Sequence, residues 1–185
     1  RQSHLVMLLI FMGLATSLLA MPFRFLMPVF VVDVYDRGPE SMGLLVAIMG
    51  GGALVGSLAI AALGNKKRGT LILAGSFASG IALLLVAIFP LYYAAAALML
   101  LLGLGEASRR TLNQSLMMEV TEDQYRGRVM SVFMMNFGLM PLGVLPTGLL
   151  ADYIGAQPAI GLLGILMLIT ATAVILTQKR LRELN

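Results

Sequence analysis

The chain has 185 residues, of which 59% are hydrophobic and only 12% charged, and its mean hydropathy of +0.92 excludes an ordinary soluble domain. It contains no cysteine, which removes disulfide frameworks, thiolate nucleophiles and thiolate metal sites from consideration. The formal charge of +4 is spread over short basic clusters between apolar stretches, a pattern that orients a membrane protein and does not call for a nucleic-acid partner.

Six apolar spans are predicted. The first covers residues 5–32 and holds Pro22, Arg24 and Pro28; it exceeds the ~20 residues needed to cross a bilayer, so it is expected to tilt or to break at its prolines. The second covers 42–63 and the third 70–89, after which Pro90 marks a short turn. The fourth begins at Tyr92 and extends past the membrane to about residue 118, the fifth covers 129–151, and the sixth covers 159–177 before a basic tail of Lys179, Arg180 and Arg182. Neither the period nor the length of these segments suits β-barrel strands, and the backbone must satisfy itself in lipid, so the expected fold is an all-α membrane protein.

Assigning alternate connections to one side gathers 11 of the 13 Lys and Arg residues there: Arg1, Lys66, Lys67, Arg68, Arg109, Arg110, Arg126, Arg128, Lys179, Arg180 and Arg182. The opposite side holds Arg37 among Asp33, Asp36 and Glu40, together with Asp152. By the positive-inside rule both termini are then cytoplasmic, which requires an even number of spans. The chain opens on Arg1, and its first apolar run is too long and too poorly flanked for a cleavable signal peptide, so it reads as a piece of a longer protein.

A weak internal repeat supports three spans per unit. The second span closes with Gly56-Ser57-Leu58-Ala59 through Leu63-Gly64, and the fifth with Thr147-Gly148-Leu149-Leu150 through Ile154-Gly155. Units of three spans are necessarily inverted with respect to each other, which is a known plan for transporters.

Several segments carry a resemblance. Asn113-Gln114-Ser115-Leu116, Val120, Arg126-Gly127-Arg128-Val129-Met130-Ser131 and Phe137-Gly138-Leu139-Met140-Pro141-Leu142-Gly143 resemble the tenth and eleventh helices of major facilitator superfamily exporters. Met27-Pro28-Val29-Phe30 through Asp33-Val34, with Gly43-Leu44-Leu45 and Gly50-Gly51-Gly52, resemble helices seven and eight of the same family. The resemblance covers the whole chain and is nearest to the branch of enterobactin exporters and macrolide efflux proteins. It implies the carboxy-terminal half of a twelve-helix transporter, with six transmembrane helices as two inverted three-helix repeats, in the bacterial cytoplasmic membrane. The implied activity is export of a small amphipathic molecule such as a drug or siderophore by alternating access against an amino-terminal half, in exchange for protons. The alternative is a self-sufficient six-helix scaffold, or a half-transporter that dimerises.

One departure from the family pattern stands out. Gly64-Asn65-Lys66-Lys67-Arg68-Gly69 keeps the basic cluster between the second and third helices, but residues 59–63 hold no acid. Lys66, Lys67 and Arg68 therefore either serve a cytoplasmic gate or do no more than fix topology. Arg126 and Arg128 follow Glu119, Glu122 and Asp123; they either close an inner gate by pairing with these carboxylates or snorkel to phospholipid.

Ionisable groups inside spans are the leading functional candidates, because a charge at mid-bilayer costs about 2.5–3.5 kcal/mol even on a lenient scale. Arg24 is expected either to bind an anionic group or close an outer gate, or to snorkel. Glu106 lies roughly 21 Å along the fourth helix, with Arg109 and Arg110 at i+3 and i+4 on its own face. It forms either a local structural pair with them or, once separated, a proton carrier. Asn113, Gln114 and Asn136 either bond across helices or line the substrate route.

Gly52 and Gly56 have the spacing of close helix packing, and no phosphate-loop Lys-Ser follows the glycines. Pro141 and Pro146 with Gly138 and Gly143 predict a kinked fifth span. The 14 methionines suit either packing or an adaptable apolar pocket. The single histidine, His4, provides neither a zinc set nor a Ser-His dyad, so catalysis is not expected. No cofactor or metal is implied, and the proton is the expected coupling ion.

Overall fold

The computed structural model describes residues 2–64 and 68–177, with side chains at 10, 11, 13–15, 17–64, 68–135 and 138–176. Among these residues it is all helical: α1 Gln2–Asp33, α2 Pro39–Leu63, α3 Arg68–Ile88, α4 Tyr92–Val120, α5 Arg126–Gly138, α6 Pro141–Ile154 and α7 Ala156–Thr177, with a short 3₁₀ turn Asp123–Tyr125 before α5. α4 lies between α2 and α3, α7 packs on α3, and α1 crosses α7, α6 and α4.

Four of these helices contain segments long and apolar enough to cross a bilayer: Gly13–Asp33, Pro39–Leu63, Arg68–Ile88 and Ala156–Leu176. α4 falls short because charged and polar residues follow one another from Glu106 onward. α5 and α6 are 13 and 14 residues long, each shorter than the ~20 residues a bilayer demands.

The fifth expected span is thus not one helix. Gly138 weakens the helix and Pro141 has no N–H to return to it, so the ladder fails at Leu139 and Met140. Leu139 N–H still reaches Met135 O at 3.1 Å, Leu142 and Gly143 make tight bonds of 3.0 Å to Leu139 O and Met140 O, and regular winding resumes at Val144. The first span differs in the opposite direction. α1 runs through Pro22 and Pro28 without interruption; neighbouring helices and local adjustment make such prolines tolerable in a membrane helix.

Glycine contact holds the bundle together. A side chain at Gly52 would strike the carbonyl of Leu100, and one at Gly103 would strike the carbonyl of Met49, so α2 and α4 meet backbone to backbone. The same device joins α3 to α4 at Gly75 and Gly105, and α3 to α7 at Gly80 and Gly164. In lipid, where burying leucine against leucine brings no hydrophobic gain between helices, such contact is the main source of association. Gly50 and Gly51 have open space around them.

The two ends of the bundle differ in chemistry. At one end Arg68 starts α3 and pairs with Glu119 at the close of α4. At the other, the Arg37 guanidinium lies 4.3 Å above the Tyr92 ring, Tyr92 Oη donates to Ser41 O at 3.0 Å, and Tyr35 stands edge-on to Phe30 and Tyr92 at 5.1 and 5.8 Å. Burial pushes the Tyr35 phenol from 10.0 up to about 12. α2 ends toward the basic end at Gly64 (φ 63°) and α6 toward the tyrosine end at Gly155 (φ 91°), each N–H bonding four residues back, to Ile60 O and Ala151 O. Both conformations favour glycine.

Candidate functional site

A cavity of about 70 Å³, enough for several water molecules, opens between α1, α4 and α5. Gly13, Ser17, Ala20, Met21 and Arg24 form its α1 wall. Their spacing of three and four residues puts them on one stripe of the helix, and the smallness of the first three leaves the space. Glu106, Arg109, Arg110 and Asn113 form the α4 wall by the same periodicity, and Phe133 of α5 closes one side.

Arg24 and Glu106 face each other across this space, Nη2 to Oε2 at 3.7 Å, with side chains 47% and 27% exposed. That distance exceeds an N–H···O hydrogen bond, so this is an open, water-accessible ion pair rather than a locked one. The sequence pointed to Arg109 and Arg110 as partners of Glu106 and did not foresee Arg24. Arg109 turns away from the cavity axis: its Nε donates to Gly105 O at 3.2 Å and its Nη1 approaches Met167 Sδ of α7 at 3.6 Å, leaving the residue only 6% exposed. An i+3 spacing brings two side chains to one face, but the packed α7 surface offers the long guanidinium stem a better resting place.

Asn113 is buried on the cavity wall. Gln114, one position on and about 100° around the helix, is half-buried and not part of the cavity. The side chain of Asn136, and Lys66 and Lys67 with the tail cations, lie outside the described residues. Sequence reasoning missed Gly13, Ser17, Met21 and Phe133; the run of small residues at helical spacing leading up to Arg24 was the available signal.

The remaining basic candidates gather near the 3₁₀ turn. Arg126 pairs with Asp123 at 2.9 Å and its Nε donates to Met118 O at 3.2 Å, while the Arg128 guanidinium lies 5.9 Å from the Tyr125 ring centroid. Arg68, with a side chain 11% exposed, meets Glu119, which is 56% exposed. Screening by solvent limits such a pair to about 0.2–1 kcal/mol. A double-mutant cycle of Arg68→Gln and Glu119→Gln, read by thermal unfolding in detergent, is expected to give a coupling energy in that range; zero coupling would show that the pair adds nothing.

The sequence profile described as Major Facilitator Superfamily matches residues 5–184. Macrolide efflux protein A of Streptococcus pyogenes is 27% identical over 161 residues, 85% of this chain and 40% of that protein. The staphyloferrin A transporter of Staphylococcus aureus is 31% identical over 156 residues, 81% of this chain and 39% of that protein. The chain therefore spans about 40% of the length of these curated relatives.

Proposed function

Because the chain belongs to the major facilitator superfamily, a family of multi-pass membrane transporters, we propose that it is the carboxy-terminal half of an efflux transporter. It works by alternating access, with the Arg24 and Glu106 cavity as its share of the substrate and proton pathway. The single observation that carries this reading is the ion pair itself: two charges on different helices, close but not hydrogen-bonded, in a water-accessible cavity partway along the bundle. Ionisable groups in that setting mark substrate or proton routes.

The relatives named above are a macrolide efflux protein and a staphyloferrin A transporter, which supports a small-molecule cargo. The coverage of about 40% of their length supports a second half completing the cavity. Two inverted three-helix repeats are the proposed internal plan, supported by the like glycine caps that end α2 and α6 toward opposite ends of the bundle. In this plan α4 and the pair of α5 and α6 count as the fourth and fifth of six crossings, both termini are cytoplasmic, and Arg68, Arg126 and Arg128 sit at the inner gate. Glu106 carries the coupling proton, with Asn113 beside it. Gln114 and Asn136 are proposed as interhelical or lining amides.

The test is accumulation in a bacterial host stripped of its own exporters and carrying the native gene product. A macrolide, a siderophore and a cationic dye are each loaded and followed with and without a protonophore. Lower accumulation of at least one cargo, reversed by the protonophore, is expected. Equal accumulation of all three in cells with and without the protein would overturn the reading.

A further inference from the structure

We infer that this cavity takes substrates through an anionic group, a carboxylate or phosphate, that docks on Arg24 in competition with Glu106. The inference rests on the transport reading above and adds the substrate class to it. Three arginines, Arg24, Arg109 and Arg110, are among the residues around the cavity, against one carboxylate, Glu106. Among the described residues the wall thus carries an excess of positive charge, which in a low-dielectric setting favours an entering anion and penalises an entering cation.

The geometry selects Arg24 as the docking group. Its side chain is nearly half exposed, and its 3.7 Å contact with Glu106 leaves the planar fork of N–H donors able to receive a bidentate acceptor at hydrogen-bond distance. Arg109 is held by Gly105 O and Met167 and contributes its field rather than its hydrogen bonds. Met21 and Phe133 on the same wall supply an apolar surface for the rest of the ligand, so an anionic amphiphile fits better than a small inorganic ion. A cation would have to take Glu106 from Arg24 beside two further positive charges.

The experiment uses the purified native gene product in phosphatidylcholine nanodiscs and three fluorescent probes on one scaffold: a dansyl-labelled fatty acid, its methyl ester and the corresponding primary amine. The acid is expected to bind about tenfold more tightly than the ester, the usual size of a charge-assisted hydrogen-bonded contact, and the amine most weakly. Arg24→Gln should erase the difference between acid and ester, while Glu106→Gln, by removing the competitor, should tighten acid binding severalfold. That opposite response cannot come from a variant that merely unfolds. Equal binding of acid and ester, or tightest binding of the amine, would overturn the inference.

Nanodiscs containing phosphatidylglycerol separate the two sources of an anionic group. Displacement of the acid probe by this lipid, dependent on Arg24, would support the anion site and assign its occupant to a headgroup; undiminished acid binding would support a soluble amphiphile. Preference for the acid without efflux in cells would overturn the transport reading and leave the anion site standing.

Discussion

Replacing Gly103 with valine is expected to abolish the folded, monodisperse protein. A Cβ at this position would lie 2.8 Å from Ala53 N and closer still to the Met49 carbonyl oxygen, both backbone atoms that cannot swing aside. α2 and α4 would have to separate along their whole contact. Overpacking in a tight core costs about 1–3 kcal/mol or more, and in lipid no hydrophobic driving force recovers the lost contact. Size-exclusion profile and thermal midpoint in detergent give the measurement. The control is Gly50→Ala, where the surroundings are open; gain of helix propensity there should stabilise by about 0.5–1 kcal/mol. A Gly103→Val protein as monodisperse and as stable as wild type would mean that α2 and α4 do not meet through these glycines.

Glu106→Gln is the second large effect. The substitution keeps the shape and hydrogen-bonding capacity of the side chain and removes only its charge and its exchangeable proton. If Glu106 links proton movement to cargo, efflux driven by a pH gradient should fall by about tenfold or more, within the range of coupling free energies between two sites. Movement of cargo down its own gradient, with no pH difference, should persist. Arg24→Lys is the companion variant: it preserves the positive charge but loses the planar fork, so it should weaken cargo recognition while leaving the pH response in place. Gradient-driven efflux unchanged in Glu106→Gln would remove this carboxylate from the proton route.

How much of this was legible beforehand depends on the range of the interaction. Arg24 and Glu106 were identifiable as functional candidates without coordinates, because a charge in an otherwise apolar segment is conspicuous. Their pairing was not, since local spacing favours Arg109 and Arg110, and no periodicity within α4 reports what α1 places opposite it. Likewise the small-residue spacing of Gly52 and Gly56 marked a packing face, but the sequence does not distinguish Gly52, pressed against Leu100, from Gly50 and Gly51, which touch nothing. The weakness around Pro141 was visible; that it divides the segment into two helices depends on which hydrogen bonds the neighbouring turns can still make.

The amino-acid sequence by itself determined that the chain is helical, membrane-embedded and a member of a transporter family, because hydropathy, charge asymmetry and family motifs are properties of contiguous residues. Only the tertiary structure decided that Arg24 faces Glu106 across a cavity, that Arg109 is turned toward Met167, and that α2 and α4 touch through Gly52 and Gly103. Those outcomes depend on the rotation and close approach of helices far apart in the chain, which are set by the shape of the whole packed bundle.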